Sequence, residues 1–302
     1  MWPGRSVFSS TGDLARSGVS EPREGSALFA PFKTVASSLF STIFPSDCRI
    51  CSAPLTEISR LPVCRQCIDS IRGMECELCS ICGERVFQFT PAAPDEGSTC
   101  GMCRRARPPF TRAVAYGSYD AELRELVHLL KYENVRPAAD LLGKYLAAAI
   151  RSLKLDLSEW KIVPVPLHRS RRRQRGFNQA ELIARAAQRR LEAATLKVQP
   201  DLLERRRPTS SQTGLTNHQR RANLRGAFIT PNPAEVRNHL ILLVDDVFTT
   251  GTTAAECSRV LLRAGARTVV VATVARVFKG EPARPVGFLQ ANNTAKSSGG
   301  IE

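Results

Sequence analysis

At 302 residues, with 43% hydrophobic and 24% charged positions, the chain can bury a sizeable core and has the composition of a globular protein. Its charge is unusual: 43 lysines and arginines against 28 aspartates and glutamates leave +15, with a pI near 9.9. That surplus predicts anionic partners, phosphorylated metabolites or nucleic acid, and no stretch is long and apolar enough to read as a transmembrane segment.

Residues 1–27, rich in Ser, Gly and charge and lacking a signal-peptide core, are expected to be disordered. Leu28–Phe44 carries Phe29, Phe32, Leu39, Phe40 and Phe44 but also Pro31 and Lys33. It reads as a short amphipathic helix leading into a cysteine module, with an interfacial or partner-binding helix as the alternative. Nine of the ten cysteines fall between Cys48 and Cys103. Cys48-x2-Cys51 and Cys64-x2-Cys67 flank a 12-residue connection; Cys79-x2-Cys82 and Cys100-x2-Cys103 flank one of 17. Each quartet suits a structural, thiolate-saturated Zn²⁺, an iron–sulfur cluster being the alternative. Whether the pairs close within each quartet or interleave stays open. Cys76 is either a free thiol or a replacement for Cys79. Such clustering argues for metal over disulfides and for a reducing, cytoplasmic compartment. Arg65, Arg72, Arg104, Arg105 and Arg107 also lie in this module (28–110), but few aromatics accompany them for base stacking.

From 111 to 278 the pattern alternates between strand and helix, which predicts an α/β domain on a parallel sheet. Arg112–Tyr119 reads as a strand. Leu123, Leu126, Val127 and Leu130 mark Ala121–Lys131 as an amphipathic helix, and Pro137–Leu153 as a second. Ile162–Val165 is a short buried strand, Asn178–Leu191 a helix and His239–Val244 a fully buried strand. Thr253–Ala264 is a helix closed by Gly265, and Thr268–Val277 a last strand. Cys257 is expected in the core. Residues 279–302 read as a floppy tail. His128, His168, His218 and His239 form no metal or catalytic spacing.

The stretch LLVDDVFTTGTT carries the most chemistry. An apolar strand delivers Asp245 and Asp246 at the carboxyl edge of a parallel sheet, where such sheets place ligands. The turn Thr249-Thr250-Gly251-Thr252-Thr253 then runs into a helix whose N-terminus favours a phosphate. Thr253 and Glu256 fit a capping box. Hydroxyls and amides for a phosphate beside carboxylates for vicinal sugar hydroxyls describe a site for a phosphorylated ribose.

That stretch resembles the phosphoribosyl pyrophosphate (PRPP) signature of type I phosphoribosyltransferases. Together with the paired cysteines, Leu130-Lys131-Tyr132, VPVPLHRSRRRQRGFNQAE (163–181) and SQTGLTNHQRRANLRGAF (211–228), it makes residues 48–278 similar to the ComF family. The resemblance implies a double zinc ribbon joined to a type I phosphoribosyltransferase fold. It implies that Asp245 and Asp246 orient the ribose, and that His168, Arg169, Arg171, Arg172, Arg173, Arg175 and Gly176 form a loop over the pyrophosphate. The alternative for those arginines is a solvated face or a nucleic-acid patch. It further implies a mobile lid containing Gln212, Arg220, Arg221 and Asn223, and Mg²⁺ bound with PRPP. Phosphoribosyl transfer to an unidentified acceptor is one expected role. Binding single-stranded DNA alongside DNA-uptake proteins and sensing PRPP without turnover are others.

Overall fold

The structure, a computed structural model, describes residues 47–55, 57, 59–86, 98–207 and 217–278. The readings of 1–27, of the lead helix at 28–44 and of the tail at 279–302 concern residues outside those described. In chain order the elements are α1 (Arg65–Ser70), α2 (Gly101–Arg105), β1 (Arg112–Ser118), α3 (Ala121–Tyr132), α4 (Ala138–Arg151), β2 (Trp160–Pro164), α5 (Arg169–Arg175) and α6 (Gln179–Gln188). There follow β3 (Lys197–Val198), β4 (Glu204–Arg205), α7 (Asn217–Leu224), β5 (Phe228–Ile229), β6 (Leu240–Phe248), α8 (Thr252–Arg263) and β7 (Thr268–Arg276). No helix among the described residues is long and apolar enough to cross a membrane.

Five strands form one all-parallel sheet in the order β1-β7-β6-β2-β3, and β4 and β5 make a small antiparallel pair. Strand alternation splits the apolar runs between two cores. Leu242, Val244, Val270 and Ala272 join α3, α4 and α6 on one face; Ile241, Leu243, Val269 and Val271 join α8 and the β4–β5 region on the other. A parallel sheet buried on both faces explains why these strands read as continuous hydrophobic runs.

The cysteine module is built into this sandwich. Cys48 and Cys67, with Ile50, Val63 and Ile71, pack into the first core, whereas Cys79, Cys100 and Cys103 belong to the second. The chain between the two clusters runs along β1: Met74 N–H donates to Tyr116 O at 3.0 Å and Ala113 N–H to Ile81 O at 2.7 Å. These bonds occupy backbone groups on an otherwise open edge strand.

Three local expectations are corrected. The central strand does not stop at Val244. It continues to Phe248, placing Asp245 opposite Thr273 and Phe248 opposite Arg276, because its ladder with β7 persists past the carboxylates. The arginine segment is helix α5, not a loop: the His168 side chain accepts from Ser170 N–H and Gly176, at φ 79°, ends the helix. The Thr253–Glu256 capping box does not form. Gly251, in the left-handed region at φ 72°, precedes a helix that starts at Thr252, and the Glu256 carboxylate instead accepts from Gly226 N–H at 3.1 Å and pairs with Arg259.

Helices α4 and α6 cross where Gly143 leaves no room: an added Cβ would stand 2.4 Å from Ala186 Cβ. Alanine gains about 1 kcal/mol of helix propensity, but overpacking costs about 1–3 kcal/mol. Gly143→Ala is therefore expected to lower the urea midpoint of unfolding, and a midpoint at or above wild type would show that the two helices separate freely.

Candidate functional site

Strand β6 presents Asp245 and Asp246 at the carboxyl edge. Asp246, 4% exposed, reaches Lys131 Nζ at 2.9 Å through Oδ1, while its buried Oδ2 has no hydrogen-bond partner. Asp245 Oδ1 accepts from the Asp246 amide at 2.9 Å. Burial and then the neighbouring Asp246 charge push the Asp245 pKa up to about 7, against the opposing pull of Lys131 and Arg205. Burial alone depresses Lys131, but Asp246 foremost and then Asp245 outweigh it and raise its pKa. Lys131 thus pairs with Asp246 and also feels the charge of Asp245.

Lys131 was not singled out as a site residue from the sequence, although a signal existed. It lies four residues beyond the fully buried Val127, on the apolar stripe of α3 where a lysine needs a partner. Beside it, exposed Tyr132 stacks edge-on with His128 (5.1 Å between ring centroids), and His128 Nε2 lies 3.1 Å from Tyr119 Oη. Arg205, 8% exposed and over the Phe228 ring at 5.4 Å, is a second cation near Asp245.

The threonine turn sits at the same edge. Thr249 and Thr250 are exposed, and Thr250 Oγ1 lies 2.7 Å from Thr252 Oγ1. Gly251 is required twice, by its positive φ and because a Cβ there would stand 2.6 Å from Phe248 Cζ. Thr252 and Thr253 open α8, where first-turn amides lack intrahelical acceptors.

Among the arginines of α5, Arg169 pairs with Glu204 at 3.0 Å and Arg172 with Glu181 at 3.8 Å. Arg175 donates to Gln179 at 2.6 Å and lies over the Tyr132 ring at 5.7 Å. Arg171 and Arg173 have no ion pair among the described residues. Arg171 is close enough to Arg205 to help depress its pKa, after burial. Of the expected lid, Gln212 lies outside the described residues; Arg220, Arg221 and Asn223 fall on α7, between β4 and β5.

The two cysteine quartets close within themselves, Cys48, Cys51, Cys64 and Cys67 in one and Cys79, Cys82, Cys100 and Cys103 in the other, with all four sulfurs of each within 4.8 Å. Cys76 is exposed and belongs to neither. The separations Cys48–Cys67 (3.9 Å), Cys51–Cys64 (3.6 Å) and Cys82–Cys100 (3.6 Å) match the roughly 3.8 Å expected between ligands of a tetrahedral ion with Zn–S bonds near 2.3 Å. Burial raises the Cys48 thiol, but the amides of Cys64, Cys51 and Ile50 bring it down to about 7. Both groups fit zinc.

A cleft of about 840 Å³ lies between the second cluster and the threonine turn, lined by Phe110, Phe248, Thr249–Thr252 and the start of α8. Arg105, Arg107, Arg225 and Arg263 also line it and are exposed.

The chain is 36% identical over 238 residues to the DNA utilization protein YhgH of Salmonella typhimurium, covering 78% of this chain and 98% of that protein. It is 32% identical over 225 residues to competence protein F of Haemophilus influenzae, covering 70% and 96%. The chain belongs to the ComF family. Competence protein ComFC of Bacillus subtilis is a further relative of this ComF chain, 26% identical over 210 residues and covering 63% and 79%. No family model matches the chain. A crystal structure of TT1426 from Thermus thermophilus aligns with a TM-score of 0.28 and 20% identity over 48% of this chain and 86% of that one. The parallel sheet flanked by helices, preceded by two four-cysteine groups, is the fold class expected of this ComF chain.

Asp245 offers a pH test. Its folded pKa lies above the ordinary carboxylate value, so the stability it contributes is full below about pH 4 and is lost as pH rises through about 7. Unfolding free energy measured from pH 4 to 8 should fall more steeply for wild type than for Asp245→Asn. Parallel curves would mean that Asp245 ionises as an ordinary carboxylate.

Proposed function

We propose that this ComF protein binds PRPP at the carboxyl edge of its sheet and transfers the phosphoribosyl group to an acceptor, with release of pyrophosphate. The observation that carries this reading is the lysine-tethered Asp245–Asp246 pair standing beside a threonine turn that opens a helix. The 5′-phosphate would take the amides and hydroxyls of Thr249–Thr253, and the ribose hydroxyls would donate to Asp245 and Asp246. The unpartnered Asp246 Oδ2 is an acceptor suited to that task. Arg171 and Arg173, unlike Arg169, Arg172 and Arg175, have no ion-pair partner among the described residues to give up. They are the arginines best disposed toward pyrophosphate, within the His168–Gly176 segment.

In that reaction the C1–oxygen bond to pyrophosphate breaks as the bond from C1 to the acceptor nucleophile forms, through an oxocarbenium-like state. The two carboxylates would lie beside the developing positive charge. Asp245 and Asp246 are the hard oxygen donors that a magnesium ion prefers, and Mg²⁺ entering with the substrate would supply charge neutralisation on the pyrophosphate. The segment around Arg220, Arg221 and Asn223, with Gln212 before it, would close over the ligand and exclude water. In this reading, residues 28–110 form the zinc module and 111–278 the phosphoribosyltransferase-like domain. Ten reduced cysteines suit a reducing compartment such as the cytoplasm.

Calorimetric titration with PRPP and Mg²⁺ should give binding heats that the double change Asp245→Asn, Asp246→Asn abolishes. Equal heats from both proteins would remove the carboxylates from the site. Pyrophosphate release with a panel of bases and amines separates transfer from mere retention.

A second reading follows from the arginine-lined cleft and from relatives whose names refer to competence and DNA utilization. It holds that the chain binds single-stranded DNA in the company of DNA-uptake proteins. Affinity for a single strand should then fall steeply with salt and drop when Arg105, Arg107, Arg225 and Arg263, which line that cleft, are neutralised. Indifference to both would exclude it.

A further inference from the structure

The second cysteine cluster and the threonine turn meet on one side chain. Arg276, the last residue of β7, is 4% exposed and lies opposite Phe248 in the β6–β7 register. Its guanidinium donates to the carbonyl of Cys82, reaches Glu84 Oε2 at 2.9 Å and lies 4.0 Å from Cys82 Sγ. The same group sits 4.6 Å from the centre of the Phe248 ring. Phe248 is braced edge-on by Phe110 at 6.0 Å and lies against Gly251, in the space a β-carbon would need. An unbroken run of contacts therefore leads from a metal-ligating cysteine, through a buried cation and a ring, to Gly251, the glycine of the turn that immediately precedes α8.

We propose that the second cysteine cluster, acting through Arg276 and Phe248, holds the Thr249–Thr253 turn in its phosphate-ready shape, so that metal occupancy of the cluster sets affinity for the phosphorylated ligand. Arg276 is the positioning residue. The proposal rests on the reading of that turn as a phosphate loop. Its physical basis is charge: four thiolates around Zn²⁺ carry a net charge of about −2, and Arg276 is the cation laid against them. Without the metal the four sulfurs are no longer held together beside Cys82, and the guanidinium loses one of the fixed partners that hold it over Phe248. A planar guanidinium can serve the cluster, Glu84 and the ring at once; a lysine ammonium cannot. The first cysteine cluster packs in the opposite core, away from this route.

The test uses the full-length chain as wild type, Arg276→Gln, Phe248→Leu and Cys100→Ser. Three quantities are read: zinc per chain, affinity for PRPP with Mg²⁺, and hydrogen exchange at the amides of residues 249–256. Arg276→Gln and Phe248→Leu should each keep two zinc ions, speed exchange in the turn by about tenfold and weaken PRPP binding by a similar factor. Cys100→Ser should lose one zinc and show the same turn exchange. Either two-zinc variant with wild-type exchange in the turn overturns the proposal, and Phe248→Leu answers the question if Arg276→Gln does not fold. If wild type fails to bind PRPP while the turn still loosens in these variants, the ligand assignment fails and the mechanical link stands.

Discussion

A parallel sheet must be covered on both faces and protected at its edges, and that constraint organises this molecule. The helices after β1, β2 and β6 cover the faces in the usual way. The open side of β1 is different, because no later strand among the described residues reaches it. The polypeptide between the two cysteine clusters fills that role with backbone hydrogen bonds to Ala113 and Tyr116. The clusters straddle the edge, one packed into each core. They are parts of the sandwich and not appendages to it.

The carboxyl edge follows from the same architecture. Because β6 is central, its end is hemmed in by β2, β7 and α3, and two carboxylates placed there cannot both be freely solvated. Lys131 answers one of them, and the other is left with a raised affinity for a proton. Such an arrangement is costly in an empty site and improves when donors arrive from a ligand. The neighbouring turn has the opposite character, with donors and little negative charge. Side by side they suit a molecule with hydroxyls at one end and a phosphate at the other.

Much of this was legible in the sequence because the informative signals are local. Apolar runs separated by amphipathic helices give the parallel sheet; C-x-x-C pairs give the metal groups; an Asp-Asp step before a threonine turn gives the site edge. The exceptions rest on end caps or on contacts distant in sequence. Arg169–Arg175 has no apolar face, so its helical state depends on a histidine at one end and a glycine at the other. Glu256 looked like a capping partner, but Gly226, 30 residues earlier, competes successfully for its carboxylate. Lys131 became a site residue only once folding set it beside Asp246. Which cysteines share a metal also required the fold, since spacing alone allows interleaved pairs.

The position of β7 has a consequence for how the chain comes to be made. It is the last strand in sequence among the described residues, yet it lies between β1 and β6, and the bond from Thr111 to Val269 spans 158 residues. During synthesis the cysteine module and β1 emerge first and wait for nearly the whole domain before β1 acquires its neighbour in the sheet. A nascent strand in that position is exposed to stray pairing on both sides. The cysteine-rich segment, made before that strand, supplies the backbone partners for one side of it in the folded chain.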